Sequence, residues 1–166
     1  MRVLLAAFAI AAFAPPATAV ADAVPACAAH VERGSLPTWA RAGFTPPDQS
    51  VPHVVGRSGR ILGVLFSDPL RASPSRKHAN KILWVARAPV ESGDLRIRAW
   101  RMRGTTRIGP IVTRVVPGGP GPSGIDLPTP GCWRMALTWP GHRDALDVRV
   151  QPRGGAHSAG SRPRSA

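Results

Sequence analysis

The chain has 166 residues, which suffice for one ordinary hydrophobic core and exclude two full domains. Its 22 Lys and Arg residues outnumber 9 Asp and Glu residues, giving a net charge of +13. This charge favours polyanionic partners, whereas the absence of CxxC, HxxxH and HExxH patterns gives no reason to expect a metal or other cofactor.

The N-terminal segment has the organisation of a secretory signal. Arg2 is the only charged residue before Asp22, residues 3–14 are apolar, and small residues at alternate positions follow. The apolar run is shorter than the roughly 20 residues that a membrane-spanning helix needs. We therefore predict a signal peptide over residues 1–21, a secreted or extracellular product and no transmembrane helix.

A second interpretation concerns Cys27. The segment Val24-Pro25-Ala26-Cys27 is a degraded form of the lipoprotein signal, in which a cysteine after a small residue becomes acylated. Pro25 fits that signal poorly, and Cys27 lies well beyond the apolar run. A lipid anchor on Cys27 is therefore the less favoured alternative to secretion.

Strand signals dominate the middle of the chain. After an expected linker or arm over residues 22–33, Trp39 and Phe44 are expected to pin the next segment to the core. Short apolar or alternating segments separated by Gly/Pro turns are typical of a β-sandwich or barrel. The predicted strands cover residues 61–66, 81–87, 95–103, 108–116, 133–139 and 146–150.

The segments between and after these strands complete the predicted domain. Residues 117–131 predict a stiff, glycine-rich connection, and residues 139–145 predict the loop of a terminal hairpin. Residues 151–166 contain no apolar residue larger than alanine, so we expect a disordered basic tail. The predicted β-sandwich domain therefore covers residues 34–150.

Two cysteines, Cys27 and Cys132, are present. In an oxidising compartment an even pair in a small domain usually forms a disulfide. We therefore predict a Cys27–Cys132 bond that clamps the N-terminal arm to the start of a late strand.

Two short motifs carry a family resemblance. The segment Asn80-Lys81-Ile82-Leu83-Trp84-Val85, followed by Gly131-Cys132-Trp133-Arg134-Met135-Ala136-Leu137 and a closing strand, resembles uncharacterised secreted and lipid-anchored proteins of Gram-positive bacteria. Their domain of unknown function is an immunoglobulin-like sandwich. The resemblance implies an antiparallel β-sandwich at the bacterial cell envelope and implies no activity.

Catalytic motifs are missing from the sequence. There is no GxSxG nucleophile elbow, the acidic residues stand mostly at turn positions, and the Pro117–Gly121 segment lacks the ending of a phosphate-binding loop. We therefore expect an exported, non-catalytic binding or structural module, and no enzyme. The alternatives are a secreted hydrolase with a site built from loops, and an inhibitor or small-ligand module.

One arginine-rich strand suggests a contact surface. Leu95, Ile97 and Ala99 alternate with Arg96 and Arg98, but the apolar phase changes at the following tryptophan. A β-bulge at that point would place four arginines on one exposed side; they are Arg96, Arg98, Arg101 and Arg103.

That arginine row has two interpretations. It is either a solvated strand whose charges prevent edge-to-edge pairing, or a contact for anionic cell-wall polymers or lipid headgroups. Nucleic acid is not an expected partner outside the cell.

Export predicts a specific maturation product. Cleavage is expected after Ala19 or Ala21, the ends of the two small-x-small sites. Intact-mass measurement of the exported protein should show the loss of that segment and no added lipid. An acylated Cys27 would contradict secretion in soluble form.

Overall fold

The computed structural model of the chain describes residues 27, 30–44, 46, 49–73, 79–89 and 91–153, so the predicted signal peptide and nearly all of the predicted tail lie outside the described residues. One 3-10 helix, Thr38–Ala40, follows the first strand. The strands, in chain order, are β1 (Glu32–Ser35), β2 (Ser50–Val55), β3 (Ile61–Leu65), β4 (Leu70–Arg71), β5 (Lys81–Ala86), β6 (Leu95–Arg103), β7 (Thr106–Val116), β8 (Pro122–Gly124), β9 (Gly131–Trp139) and β10 (His142–Gln151).

The strands form two sheets, and the predicted all-β sandwich is confirmed. The first sheet has the order β1-β2-β3-β5-β8 and the second has the order β4-β10-β9-β6-β7. Neighbouring strands are antiparallel except for the short parallel pair β4 and β10. No helix among the described residues is long and apolar enough to cross a membrane.

The core lies between the sheets and is built by strand alternation. On β9, Trp133, Met135, Leu137 and Trp139 are all buried, as their period of two predicts. Trp84 faces them from the first sheet. The indole N–H of Trp84 donates to Ser123 Oγ at 2.9 Å, and that of Trp133 donates to the carbonyl of Thr129 at 2.9 Å, so these large rings are buried without losing a hydrogen bond.

The segment 36–44, which follows β1, covers the other face of the first sheet. Leu36 and Ala40 are buried against Leu62 and Val64, and Trp39 and Phe44 pack beside them with half-buried rings. The predicted anchoring role of Trp39 and Phe44 is therefore confirmed. Because the segment 36–44 covers this face, β3 is buried on both sides, which explains its continuous run of apolar residues.

The residues of the two resemblance motifs have structural roles. Asn80 is fully buried, its amide donates to the carbonyls of Arg71 and Ile125, and its carbonyl accepts the N–H of Arg71. It therefore ties the start of β5 to β4 in the opposite sheet. Trp84 and Trp133 are core residues, and Cys132 is bonded, so the motifs describe a fold and not a reactive site.

Three features differ from the sequence interpretation. β1 and β2 were not predicted, because β1 has no apolar alternation and Pro52 and His53 interrupt the pattern of β2. The expected connection 117–131 contains β8. The expected hairpin loop 139–145 is only a tight turn at Pro140 and Gly141, where a φ of 69° suits glycine.

The predicted disulfide Cys27–Cys132 is confirmed, with Cα atoms 5.3 Å apart. Cys132 pairs with Arg149 on β10 and precedes the inward-facing Trp133, so the bridge lies on the outer face of the second sheet. The arm then continues into β1 at the edge of the first sheet. The bond therefore fastens the arm across the two sheets and leaves Cys27 without a free thiol for acylation.

The bridge should contribute strongly to stability. The double variant Cys27→Ser/Cys132→Ser opens a loop with a sequence separation of 105, and loop closure of that size is worth up to about 4–5 kcal/mol. Denaturant unfolding should show a lower midpoint for the variant. Thiol titration of the denatured protein should find no free thiol before reduction and two afterwards. Two reactive thiols without reduction would contradict the bond.

Candidate anion-binding surface

The carboxylate of Asp144 organises one end of the sandwich. Asp144 lies on β10, is 7% exposed, and accepts the backbone N–H groups of Ser58 and Arg60 at 2.9 Å each, and that of Ala145 at 2.7 Å. The N–H of Arg57 also donates to the carbonyl of Ala145. The β2–β3 hairpin of the first sheet is thereby held against β10 of the second.

The outer face of the second sheet carries unpaired arginines. Cross-strand pairing places Arg96 opposite Thr138, and Thr138 opposite Arg143, so these three side chains form one row across β6, β9 and β10. With strands about 4.8 Å apart, Arg96 and Arg143 arise roughly 10 Å from each other. Both are exposed, and neither has a carboxylate within ion-pair distance in the described part of the chain.

The neighbouring row contains two small residues. Arg98 lies opposite Ala136, which in turn lies opposite Ala145. Ala136 and Ala145 line a depression of about 400 Å³, which adjoins a second depression of about 470 Å³ at Thr138. Arg57 and Arg143 line the first depression and Arg96 lines the second, so the groove has cations at both ends.

Acidic groups beside the groove are already engaged. Asp147 accepts two hydrogen bonds from Arg134, at 2.8 and 3.0 Å, and lies 3.5 Å from Arg57 Nη1. The hydrogen bond with Asp147 raises the pKa of Arg134 further above its usual range. Asp94, which lines the second depression, accepts the N–H of Gly118. Three arginines and two carboxylates, Asp94 and Asp144, line the two depressions, so cations are in the majority there.

The four arginines of the predicted row do not share one face. β6 pairs with β9 in unbroken register from Arg96 to Met102, whereas the register irregularity between Ala99 and Arg101 is in its pairing with β7. There, three residues of β7 stand opposite Trp100 alone, so the extra residues belong to β7 and not to β6.

The unbroken β6 register decides where the arginines lie. Arg101 falls opposite the inward-facing Trp133, is half-buried, and packs its stem near Gly131. Arg103 is in the same phase, at the exposed hairpin end. Arg96 and Arg98 remain on the outer face, where the structure adds Arg143, a residue that strand-by-strand inspection missed. The expectation of one row of four is therefore corrected.

Of the described residues that a hydrolase could use, His30, Glu32 and Asp147 line one depression of about 340 Å³, and one further histidine lies beside Glu32. His53 Nε2 lies 3.4 Å from Glu32 Oε2, but the imidazole is fully enclosed, and Nδ1 contacts the carbonyl of Val51 at 2.9 Å. Across the described ranges, no cluster of three or more His, Cys, Asp or Glu residues could hold a metal ion.

Comparison with known proteins adds no relative: no family model, curated protein or solved structure matches the chain.

The contribution of the Asp144 hydrogen bonds to the stability of the protein can be tested. Asp144→Ala removes the acceptor of two hairpin N–H groups, and because an unsatisfied buried donor costs about 1–3 kcal/mol, the free energy of unfolding should fall by about 2 kcal/mol or more. Asp126→Ala, at an exposed position, should change it by less than about 0.5 kcal/mol. Denaturant titration measures both, and equal effects would contradict the assigned role.

Proposed function

We propose that this protein is an exported, non-catalytic β-sandwich module that binds anionic cell-wall polymers at the bacterial envelope. The observation that carries the proposal is the groove across the outer face of the second sheet, with Arg96 and Arg98 on one side and Arg143 on the other. The envelope location follows from the predicted signal and the family resemblance.

The shape of the groove supports a polymer. It is shallow, crosses three strands, and joins two depressions in place of one enclosed cavity. A polymer with regularly spaced phosphate or carboxylate groups can contact cations at both ends at once, which raises its effective affinity through multivalency. Thr138 in the middle supplies a hydroxyl that hydrogen-bonds to a chain lying over Ala136 and Ala145.

Arginine suits this role better than lysine. Its guanidinium presents a planar set of donors that matches phosphate and carboxylate oxygens. Arg96, Arg98 and Arg143 lie on regular strands, so their backbone positions are set before any ligand arrives. The disulfide supports the same sheet from the other end of β9.

The triple variant Arg96→Gln/Arg98→Gln/Arg143→Gln tests the surface. Exposed ion pairs contribute about 0.2–1 kcal/mol each, so the variant should bind polyphosphate or purified cell walls roughly 3- to 150-fold more weakly at physiological salt. Wild-type binding should weaken as salt rises, because screening acts within about 8 Å at that ionic strength. Co-sedimentation with cell walls and a salt series measure both effects.

A matched control variant distinguishes binding by the outer face from binding by the total charge of the protein. Arg71→Gln/Lys81→Gln/Arg153→Gln removes the same number of charges at positions outside the groove and should retain binding. Equal losses in the two triple variants would contradict a defined surface. Stronger salt-sensitive binding to phosphatidylglycerol vesicles than to the polymers would replace the proposed polymer with lipid headgroups.

A further inference from the structure

A second cavity lies at the end of the sandwich, outside the polymer groove. Its volume is about 600 Å³, within the range of small-molecule sites. Both sheets contribute to its lining, which consists of Arg60, Arg87, Ala88, Trp139, Gly141 and His142. None of the outer-face arginines takes part in it.

The two cations of this cavity are held side by side by the backbone. Ile61 pairs with Ala86, and one step further the N–H of Arg87 donates to the carbonyl of Arg60 at 2.8 Å. Asp144 holds the N–H of Arg60 from the opposite sheet. The positions of both arginines are therefore fixed by the fold.

This arrangement is unfavourable without a counter-charge. Like charges at directly opposite positions on neighbouring strands repel. Arg60 and Arg87 are both exposed, and neither forms an ion pair with a carboxylate among residues 30–153 as far as these are described. An anion between them would relieve the repulsion and accept hydrogen bonds from both guanidinium groups.

The opposite wall of the cavity is aromatic. The tight turn at Gly141 places His142 opposite Trp139, with ring centroids 5.5 Å apart and planes inclined by 33°. Trp139 is only 3% exposed, so the partly exposed His142 presents the accessible ring and Trp139 supports it. Its indole N–H is buried and has no hydrogen-bond partner within the described residues.

We propose that this cavity binds a small organic anion, with a carboxylate or phosphate group between Arg60 and Arg87 and a ring against His142, which Trp139 supports. The ligand class is a ring that bears one anionic group, such as an acidic or phosphorylated monosaccharide. The face of a sugar ring presents C–H groups to an aromatic side chain, and two guanidinium groups on fixed backbone positions select its charge. The site is independent of the polymer groove, because the two use different arginines.

Ligand titration of the full chain tests the cavity, with glucuronate and glucose 1-phosphate as probes and glucose as their neutral match. Binding is followed through the NMR signals of the Trp139 indole and the His142 imidazole. Both anions should give saturable shifts, and glucose should bind at least about tenfold more weakly. Inorganic phosphate should also bind more weakly than glucose 1-phosphate, because it lacks the ring.

Paired variants make the assignment specific. Arg60→Gln/Arg87→Gln should weaken binding of both anions by about tenfold or more, whereas Arg71→Gln/Arg153→Gln, which removes the same charge elsewhere, should not. Arg60→Lys/Arg87→Lys keeps the charge but not the planar donors and should give intermediate affinity. Circular dichroism checks that each variant is folded.

Several results would overturn the proposal. These are equal binding of glucose and glucuronate, unchanged affinity in the folded Gln variant, equal binding of inorganic phosphate and glucose 1-phosphate, or the absence of saturable shifts with either anion. The Gln variant should still bind polyphosphate through the outer face. Loss of polymer binding in the Arg96/Arg98/Arg143 variant alone therefore tests the polymer groove, and loss of monosaccharide binding in the Arg60/Arg87 variant alone tests the cavity.

Discussion

The carboxylate of Asp144 is the contact on which both candidate sites depend. It extends from β10 of the second sheet and accepts N–H groups of the β2–β3 hairpin in the first sheet. A side chain at Gly56 would collide with this carboxylate, so glycine is required where the two sheets approach. Asp144 holds the backbone of Arg60 at the end cavity, and the carbonyl of the adjacent Ala145 holds the backbone of Arg57 at the polymer groove. Two neighbouring residues of β10 therefore position two cations of one hairpin.

The distribution of the acids explains why so much positive charge remains available. Asp144 is satisfied by backbone donors, Asp147 by Arg134, Asp68 by Arg33, and Glu32 lies beside the buried His53. These acids stabilise turns, strand pairs and sheet contacts, and among them only Asp147 is paired with an arginine of the outer face, Arg134. Arg96, Arg98 and Arg143 are left without an ion pair within the described residues.

The sequence predicted the strands whose apolar and polar residues alternate, because a strand that is buried on one face has an apolar residue at every second position. It could not predict β1 and β2, because β1 depends on pairing with β2, and β2 on pairing with β3. The phase change at Trp100 was visible, but its cause lies in β7, where Gly109 has a φ of 71° and Pro110 has no N–H to donate. That Gly-Pro pair within a strand marks the irregular pairing, whereas the sequence interpretation had placed the bulge at Trp100.

The end cavity could not be predicted because its lining residues come from separate parts of the chain, from Arg60 to His142, and meet only after the sheets pack. Local patterns report local structure, whereas this cavity arises from strand ends in two sheets. The same packing fixes its chemistry: Trp139 is held by burial, and the Arg60 and Arg87 backbones by hydrogen bonds. A ligand would then have to order only two exposed side chains, at an entropic cost of up to about 2 kcal/mol each. Because a charge-assisted hydrogen bond contributes about 1.5–3 kcal/mol, arginines fixed in this way can bind an anion without ordering a loop.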